Sequence, residues 1–118
     1  MDGIHGIKRE KHLTASTVRC SDITVLGEEL DPAKVRGIIK SSSDELVVIT
    51  RDGGGKLCSV TVFGDSMLGK EAVGAKIAAL LHSSGVDMQY MSLSETSATV
   101  YVSEADGDRV WETMKKMI

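Results

Sequence analysis

Long apolar runs, proline and aromatic side chains are all scarce in this chain of 118 residues. Its apolar stretches, such as those at 46–49 and 77–81, are far shorter than the roughly 20 residues that a membrane-spanning helix needs. One proline is too few for a linker-rich chain, and the basic residues near the N-terminus have no apolar run behind them, which excludes the pattern of a secretory signal. These absences predict a compact domain without a membrane partner, located in the cytoplasm or, for a plant-like source, in an organelle stroma.

Cysteine is also sparse, and its spacing argues against metal or redox chemistry. Cys20 and Cys58 form no CxxC pair and have no histidine at ligand spacing, so we expect two reduced thiols, no metal and no cofactor. A net charge of −3 and so few aromatic side chains disfavour nucleic acid as a partner. No Ser/His/Asp or Cys/His arrangement stands at a recognisable catalytic spacing, so the chain is not expected to be an enzyme on its own.

The first half of the chain carries mixed signals. Residues 1–20 show neither helical nor strand periodicity and are interpreted as a loosely ordered N-terminal arm. The β-branched run Ile23–Gly27 predicts a short strand or an extended segment. Asp31 and Pro32 form a helix-start signal that predicts a helix over 32–40. The apolar run at 45–50 predicts a strand, and the glycines after it predict a turn, of either a hairpin or a crossover.

The second half of the chain has clearer periodicity. The pattern predicts a strand over 57–63 and a loop over 64–69. A helix then follows from about 70 to 83, with apolar residues on one face and Gly85 closing it. Two further strands are predicted at 86–92 and 97–103, followed by a helix from 104 or 105 to the end. The predicted order from residue 57 is therefore β-α-β-β-α, one strand short of a ferredoxin-like module.

Three stretches in this half resemble the ACT domains of aspartokinases. They are Ser59–Gly69, similar to the family's first strand and effector loop; Gly85–Glu95, similar to its second strand and the Ser-Glu pair that follows; and Ala98–Asp106, similar to its third strand and acidic helix start. Ala72 and Gly74 depart from the family, in which a glycine usually opens the first helix.

The resemblance implies an α+β fold, a ferredoxin-like ACT sandwich with an antiparallel sheet and helices on one face. We expect the βαββα run to be completed by the helix and strand of 32–50, which gives an ACT-type regulatory domain over 21–118. The resemblance also implies an allosteric feedback sensor for lysine or threonine, the regulatory part of an aspartate kinase. Its expected partners are the amino-acid effector, a second copy through ACT–ACT contacts, and a kinase domain or subunit.

A bound amino acid needs donors for its carboxylate and acceptors for its ammonium group. A helix N-terminus supplies free N–H donors, and Asp65 is the candidate ammonium acceptor. The resemblance adds the segment of Ser94 and Glu95, which in the family meets the effector loop of a partner domain. The candidate effector-binding residues are Asp65, Ser66, Met67, Leu68, Gly69, Ser94 and Glu95.

Plainer interpretations remain open at each of these positions. Asp65 and Ser66 would also serve as a helix cap, and Ser94 and Glu95 as an ordinary polar connection. The alternative function is a ligand-free ACT-like module for oligomerisation or interaction. A small enzyme on the same scaffold is a third hypothesis, because this fold hosts several chemistries.

Overall fold

The computed structural model describes residues 4–22, 31–51, 54–65 and 73–117. The chain divides into two compact units. We call residues 12–57 the three-stranded unit, and residues up to Lys11 together with those from Cys58 onward the sandwich unit. The first strand, β1 (Ile4–Arg19), contributes its second part to the three-stranded unit and its first part to the sandwich unit. The strand predicted at Ile23–Gly27 lies outside the described residues.

Strand β1 corrects the expectation of a loosely ordered arm. Within the three-stranded unit it pairs antiparallel with β3 (Glu45–Arg51), from Leu13 opposite Arg51 to Arg19 opposite Glu45. Leu13 is fully buried, so this segment has both a hydrogen-bonded partner and an apolar anchor. The sequence shows no strand periodicity here because only Ile4 and Leu13 of this strand are buried and its other side chains are half-buried or exposed.

The helix predicted over 32–40 is confined to one turn. Asp31 does act as the cap, since its Oδ1 accepts a hydrogen bond from the Ala33 amide at 3.0 Å, but the 3-10 turn ends at Lys34. The next residues form strand β2 (Val35–Lys40), whose side chains are alternately half-buried and exposed. The β2 residues pair antiparallel with β3, the next strand along the chain, and this pairing prevails over the helix signal at its start.

Strand β3 therefore has a partner on each side, β1 and β2. Of the two connections predicted for the glycines that follow β3, the crossover is the one observed. Gly55 lies in this connection, and a Cβ there would collide with the main-chain carbonyl of Leu13. Only glycine permits this close approach.

The sandwich unit follows the predicted β-α-β-β-α order. Its elements are β4 (Leu57–Gly64), α1 (Val73–Ser83), β5 (Tyr90–Leu93), β6 (Ser97–Ser103) and α2 (Glu104–Lys115). Helix α1 ends as expected, because Gly85 has a φ of +76° and donates its amide hydrogen to the His82 carbonyl at 3.0 Å. Strand β5 is shorter than predicted and pairs antiparallel with β6.

The strand order in this unit is β1-β4-β6-β5, with the first part of β1 at one side. The predicted fold class, an α+β ferredoxin-like sandwich with an antiparallel sheet, is confirmed. The strand beside β4 is β1, however, and not the segment 32–50 that the sequence suggested. The missing strand of the βαββα run thus precedes it in the chain, which makes the arrangement a permuted one.

One apolar core holds the sandwich unit together. Alternate residues of β4 and β6 lie in it together with one stripe from each helix, so both helices cover the same face of the sheet. The members from these four elements are Cys58, Val60, Val62, Val73, Ile77, Leu81, Ala98, Val100, Val102, Val110 and Met114. Among the described residues, no helix is long and apolar enough to cross a membrane.

The Arg9 side chain connects strand β1 to helix α2. Arg9 donates a hydrogen bond to the Asp108 carboxylate at 2.7 Å, and its guanidinium lies 5.1 Å from the centre of the Trp111 ring. Trp111 packs against the core, so Arg9 joins the first strand to the last helix. This contact gives the tryptophan the anchoring role that its amphipathic side chain suggests.

Two buried acids of this unit have perturbed pKa values. Burial raises the pKa of the Cys58 thiol, and the nearby positive charges of Arg9 and Lys11 oppose that rise. Burial also raises the pKa of Tyr101, and the negative charge of Glu10 adds to the effect. Both groups are therefore held in their neutral forms, as expected for side chains that fill a core.

Candidate functional site

The end of β4 and the turn between β5 and β6 meet at one end of the sandwich unit's sheet. The Gly64 amide donates a hydrogen bond to the Thr96 carbonyl at 3.0 Å, and the hydroxyl groups of Thr61 and Thr99 are 2.8 Å apart. These pairs advance in opposite directions along the two chains, so β4 and β6 are antiparallel. Asp65, the residue after Gly64, therefore lies beside the turn that carries Glu95.

The β5–β6 turn is built around Ser94. Its amide donates to the Ser97 carbonyl at 2.8 Å, and its hydroxyl accepts from the Ser97 amide at 3.2 Å and from the Thr96 amide at 3.4 Å. The Ser94 hydroxyl thus has a structural role in the turn, which is the plainer of the two functions that the sequence allowed. Glu95 lies at the exposed tip between these hydrogen bonds.

Asp65 is exposed and already has a partner. Its Oδ2 lies 2.8 Å from Nε2 of His5 on β1, with the two side chains 82% and 63% exposed. The aspartate is therefore held by an imidazole from another strand.

The first turn of α1 approaches the same end of the sheet. A Cβ placed on Gly74 would lie 3.2 Å from Leu93 Cδ2 and 3.4 Å from Met91 Cε, so a glycine lets the helix come this close to β5. Leu93 directly precedes Ser94, which brings the start of α1 near the β5–β6 turn. The helix glycine that departed from the family pattern thus has a packing role at the edge of the candidate site.

Of the predicted site residues, the structure brings Asp65 together with Ser94 and Glu95. The other four, Ser66, Met67, Leu68 and Gly69, lie outside the described residues. Sequence reasoning missed His5, because it assigned that residue to a loose arm. Only recognition of residues 4–11 as a strand beside β4 would have placed His5 at this end of the sheet.

The side chains at this end of the sheet suit the binding of a small charged ligand. Asp65 and Glu95 offer two exposed carboxylates, which are acceptors for an ammonium group. His5 adds an imidazole, whose Nε2 contacts the Asp65 carboxylate. Two exposed carboxylates beside a single turn supply the acceptors that the ammonium group of an amino acid requires.

The βαββα run closed by an additional strand defines the class, which is the ferredoxin-like sandwich of ACT type. Solved structures similar to this chain include chains of aspartokinases. A structure of aspartokinase alpha and beta subunits superimposes with a TM-score of 0.81 at 20% identity, covering 96% of this chain and 97% of the other. The regulatory subunit of aspartate kinase from Thermus thermophilus, in its ligand-free form, gives 0.78 at 12% identity, covering 96% and 97%.

A longer enzyme shows the same likeness over part of its length. The aspartate kinase of Clostridium acetobutylicum superimposes with a TM-score of 0.79 at 16% identity, covering 98% of this chain but 35% of the enzyme. No protein-family model matches the chain, and no curated protein sequence matches it. At these identities the likeness establishes the fold, which is that of the regulatory chains of aspartokinases.

Proposed function

We propose that this chain is a regulatory domain that binds an amino acid and controls an aspartate kinase, with lysine or threonine as its effector. The observation that carries the proposal is the hydrogen bond from the Gly64 amide to the Thr96 carbonyl, which sets Asp65 beside the turn of Glu95. The fold supports it, because the similar structures are aspartokinase chains, among them a regulatory subunit of which 97% is covered.

In the proposed site, the carboxylates of Asp65 and Glu95 accept the hydrogen bonds of the effector's ammonium groups. The segment Ser66, Met67, Leu68 and Gly69 supplies main-chain donors for its carboxylate, and Ser94 holds the turn in place. A second copy of this chain and a kinase domain or subunit are the proposed partners. Coupling of about 1–3 kcal/mol between effector binding and the arrangement of such partners is enough for feedback control.

Calorimetric titration with L-lysine and L-threonine tests the proposal. Asp65→Asn and Glu95→Gln each remove a charged acceptor without changing the size of the side chain. Because a hydrogen bond to a charged group contributes about 1.5–3 kcal/mol, each variant should bind the effector at least tenfold more weakly. Glu112→Gln, at an exposed position of α2, is the matched control and should bind as the unmodified protein does.

Two results would contradict the proposal. Unchanged affinity in both site variants would show that the amino acid binds elsewhere. If neither of these amino acids, nor any of the remaining protein amino acids, binds or raises the unfolding temperature, the chain is instead a ligand-free module for assembly. A ligand that binds only the native state must raise its stability, so thermal unfolding provides an independent check.

A further inference from the structure

We propose that His5 is a residue of the effector site, which holds the Asp65 carboxylate until the ammonium group of an amino acid takes its place. This inference rests on the proposed function and adds to it a residue that none of the predicted motifs contains. It starts from the 2.8 Å contact between His5 Nε2 and Asp65 Oδ2.

The position of His5 is fixed by its strand. Its neighbour Ile4 belongs to the apolar core, and β1 lies beside β4 in the sheet. Further along β1, the Lys8 ammonium lies 5.5 Å from the centre of the Phe63 ring, a second contact between this strand and the end of β4. The imidazole is therefore presented to Asp65 by an ordered strand and does not reach it by a long flexible side chain.

The contact between His5 and Asp65 is also weak enough for an incoming ammonium group to replace the imidazole. Both side chains are more than half exposed, and exposed pairs of this kind gain little because water and salt screen them. Asp65 is also the proposed acceptor for the ammonium group, beside the Glu95 turn. An incoming ammonium group and the His5 imidazole thus compete for one carboxylate.

The competition predicts the direction of an affinity change. Removing the imidazole frees Asp65, so His5→Ala should bind L-lysine or L-threonine about two- to fivefold more tightly, the range that an exposed pair allows. His5→Gln, which keeps a side-chain hydrogen-bond donor, should give a smaller gain of the same sign. His82→Ala, at an exposed position near the end of α1, is the matched control and should leave the affinity unchanged.

Nuclear magnetic resonance of the imidazole groups gives a readout that a purely structural role would not move. Addition of the amino acid should shift the resonances of His5 and leave those of His82 in place. Asp65→Asn should shift the His5 resonances before any ligand is added. Thermal unfolding of each variant shows that it is folded.

The outcomes separate this inference from the proposed function. If the unmodified protein binds the amino acid and His5→Ala binds it equally or more weakly, the role of His5 is wrong and the proposed function stands. If neither protein binds L-lysine or L-threonine, both are wrong. Tighter binding by His5→Ala together with a ligand-dependent shift of His5 supports the inference.

Discussion

Gly107 allows a sharp test of the packing in the sandwich unit. It is a buried residue of α2 that faces Cys58 on β4, and a Cβ added to it would lie 3.1 Å from the Cys58 Sγ and 3.6 Å from the Cys58 Cβ. Cys58 is fully buried and belongs to a strand with a neighbour on each side, so it cannot yield without moving the sheet. Gly107→Ala should therefore overpack the contact between helix and sheet.

Two opposing effects set the magnitude. Alanine is favoured over glycine inside a helix by up to about 1 kcal/mol, but Gly107 lies only three residues after the start of α2, so the gain is partial. An extra carbon in a tightly packed core costs about 1–3 kcal/mol. The net loss in the free energy of unfolding should be about 1 kcal/mol, which lowers the melting temperature by roughly 4 °C.

Urea unfolding of four proteins measures this contact: the unmodified protein, Gly107→Ala, Cys58→Ala and the double variant. Without the sulfur atom the new methyl group has room, so Gly107→Ala should become neutral or stabilising in the Cys58→Ala background. Gly74→Ala is the control in α1, because its methyl group would meet only the far ends of two flexible side chains, Met91 and the 39% exposed Leu93, which can shift by a few tenths of an ångström. It should not destabilise the protein. Equal losses from Gly107→Ala in both backgrounds would refute the packing argument.

Three further predictions concern other parts of the fold. Arg9→Ala should lower the free energy of unfolding by about 1 kcal/mol, because it removes an exposed ion pair and a cation–π contact, and an unchanged urea midpoint would contradict this. Gly55→Ala should cost more than about 2 kcal/mol, since its methyl group would collide with the Leu13 carbonyl, and a cooperative transition at the original midpoint would oppose it. The folded-state pKa of Cys58 is raised above its ordinary value of 9.0, so the unfolded chain loses this proton first and stability should fall as the pH rises past about 9. Melting temperatures between pH 8 and pH 10.5 should decline less steeply in Cys58→Ala than in the unmodified protein, in which Tyr101 contributes in the same direction.

The parts of the fold that the sequence predicted are those with strong local periodicity. Strand β4, both helices and strand β6 each carry an apolar pattern of the correct period, and the structure contains all four. The turn at Gly85 was also predicted, because a positive φ after a helix favours glycine.

The errors arose where pairing with another strand decides the conformation. Asp31 and Pro32 do start a helical turn, but the β-branched residues after them join a sheet with β3, a partner that local propensity cannot reveal. Strand β1 was missed for the same reason, since its residues 13–19 pair with residues 45–51, a partner that local propensity does not indicate either. The predicted site lacked His5 for the same reason, because His5 lies beside Asp65 only when β1 is part of the sheet.

The central claim is that Asp65 and the Glu95 turn form one binding site for an amino acid. Amide chemical shifts of the isotope-labelled protein, followed during titration with L-lysine and with L-threonine, test it most directly. The account predicts that one of the two amino acids causes saturable shifts. These shifts should be concentrated at the amides of Gly64, Asp65, Glu95 and Thr96, while the amide resonances of the three-stranded unit should not move. Saturable shifts confined to the three-stranded unit, or no shifts with either amino acid, would contradict it.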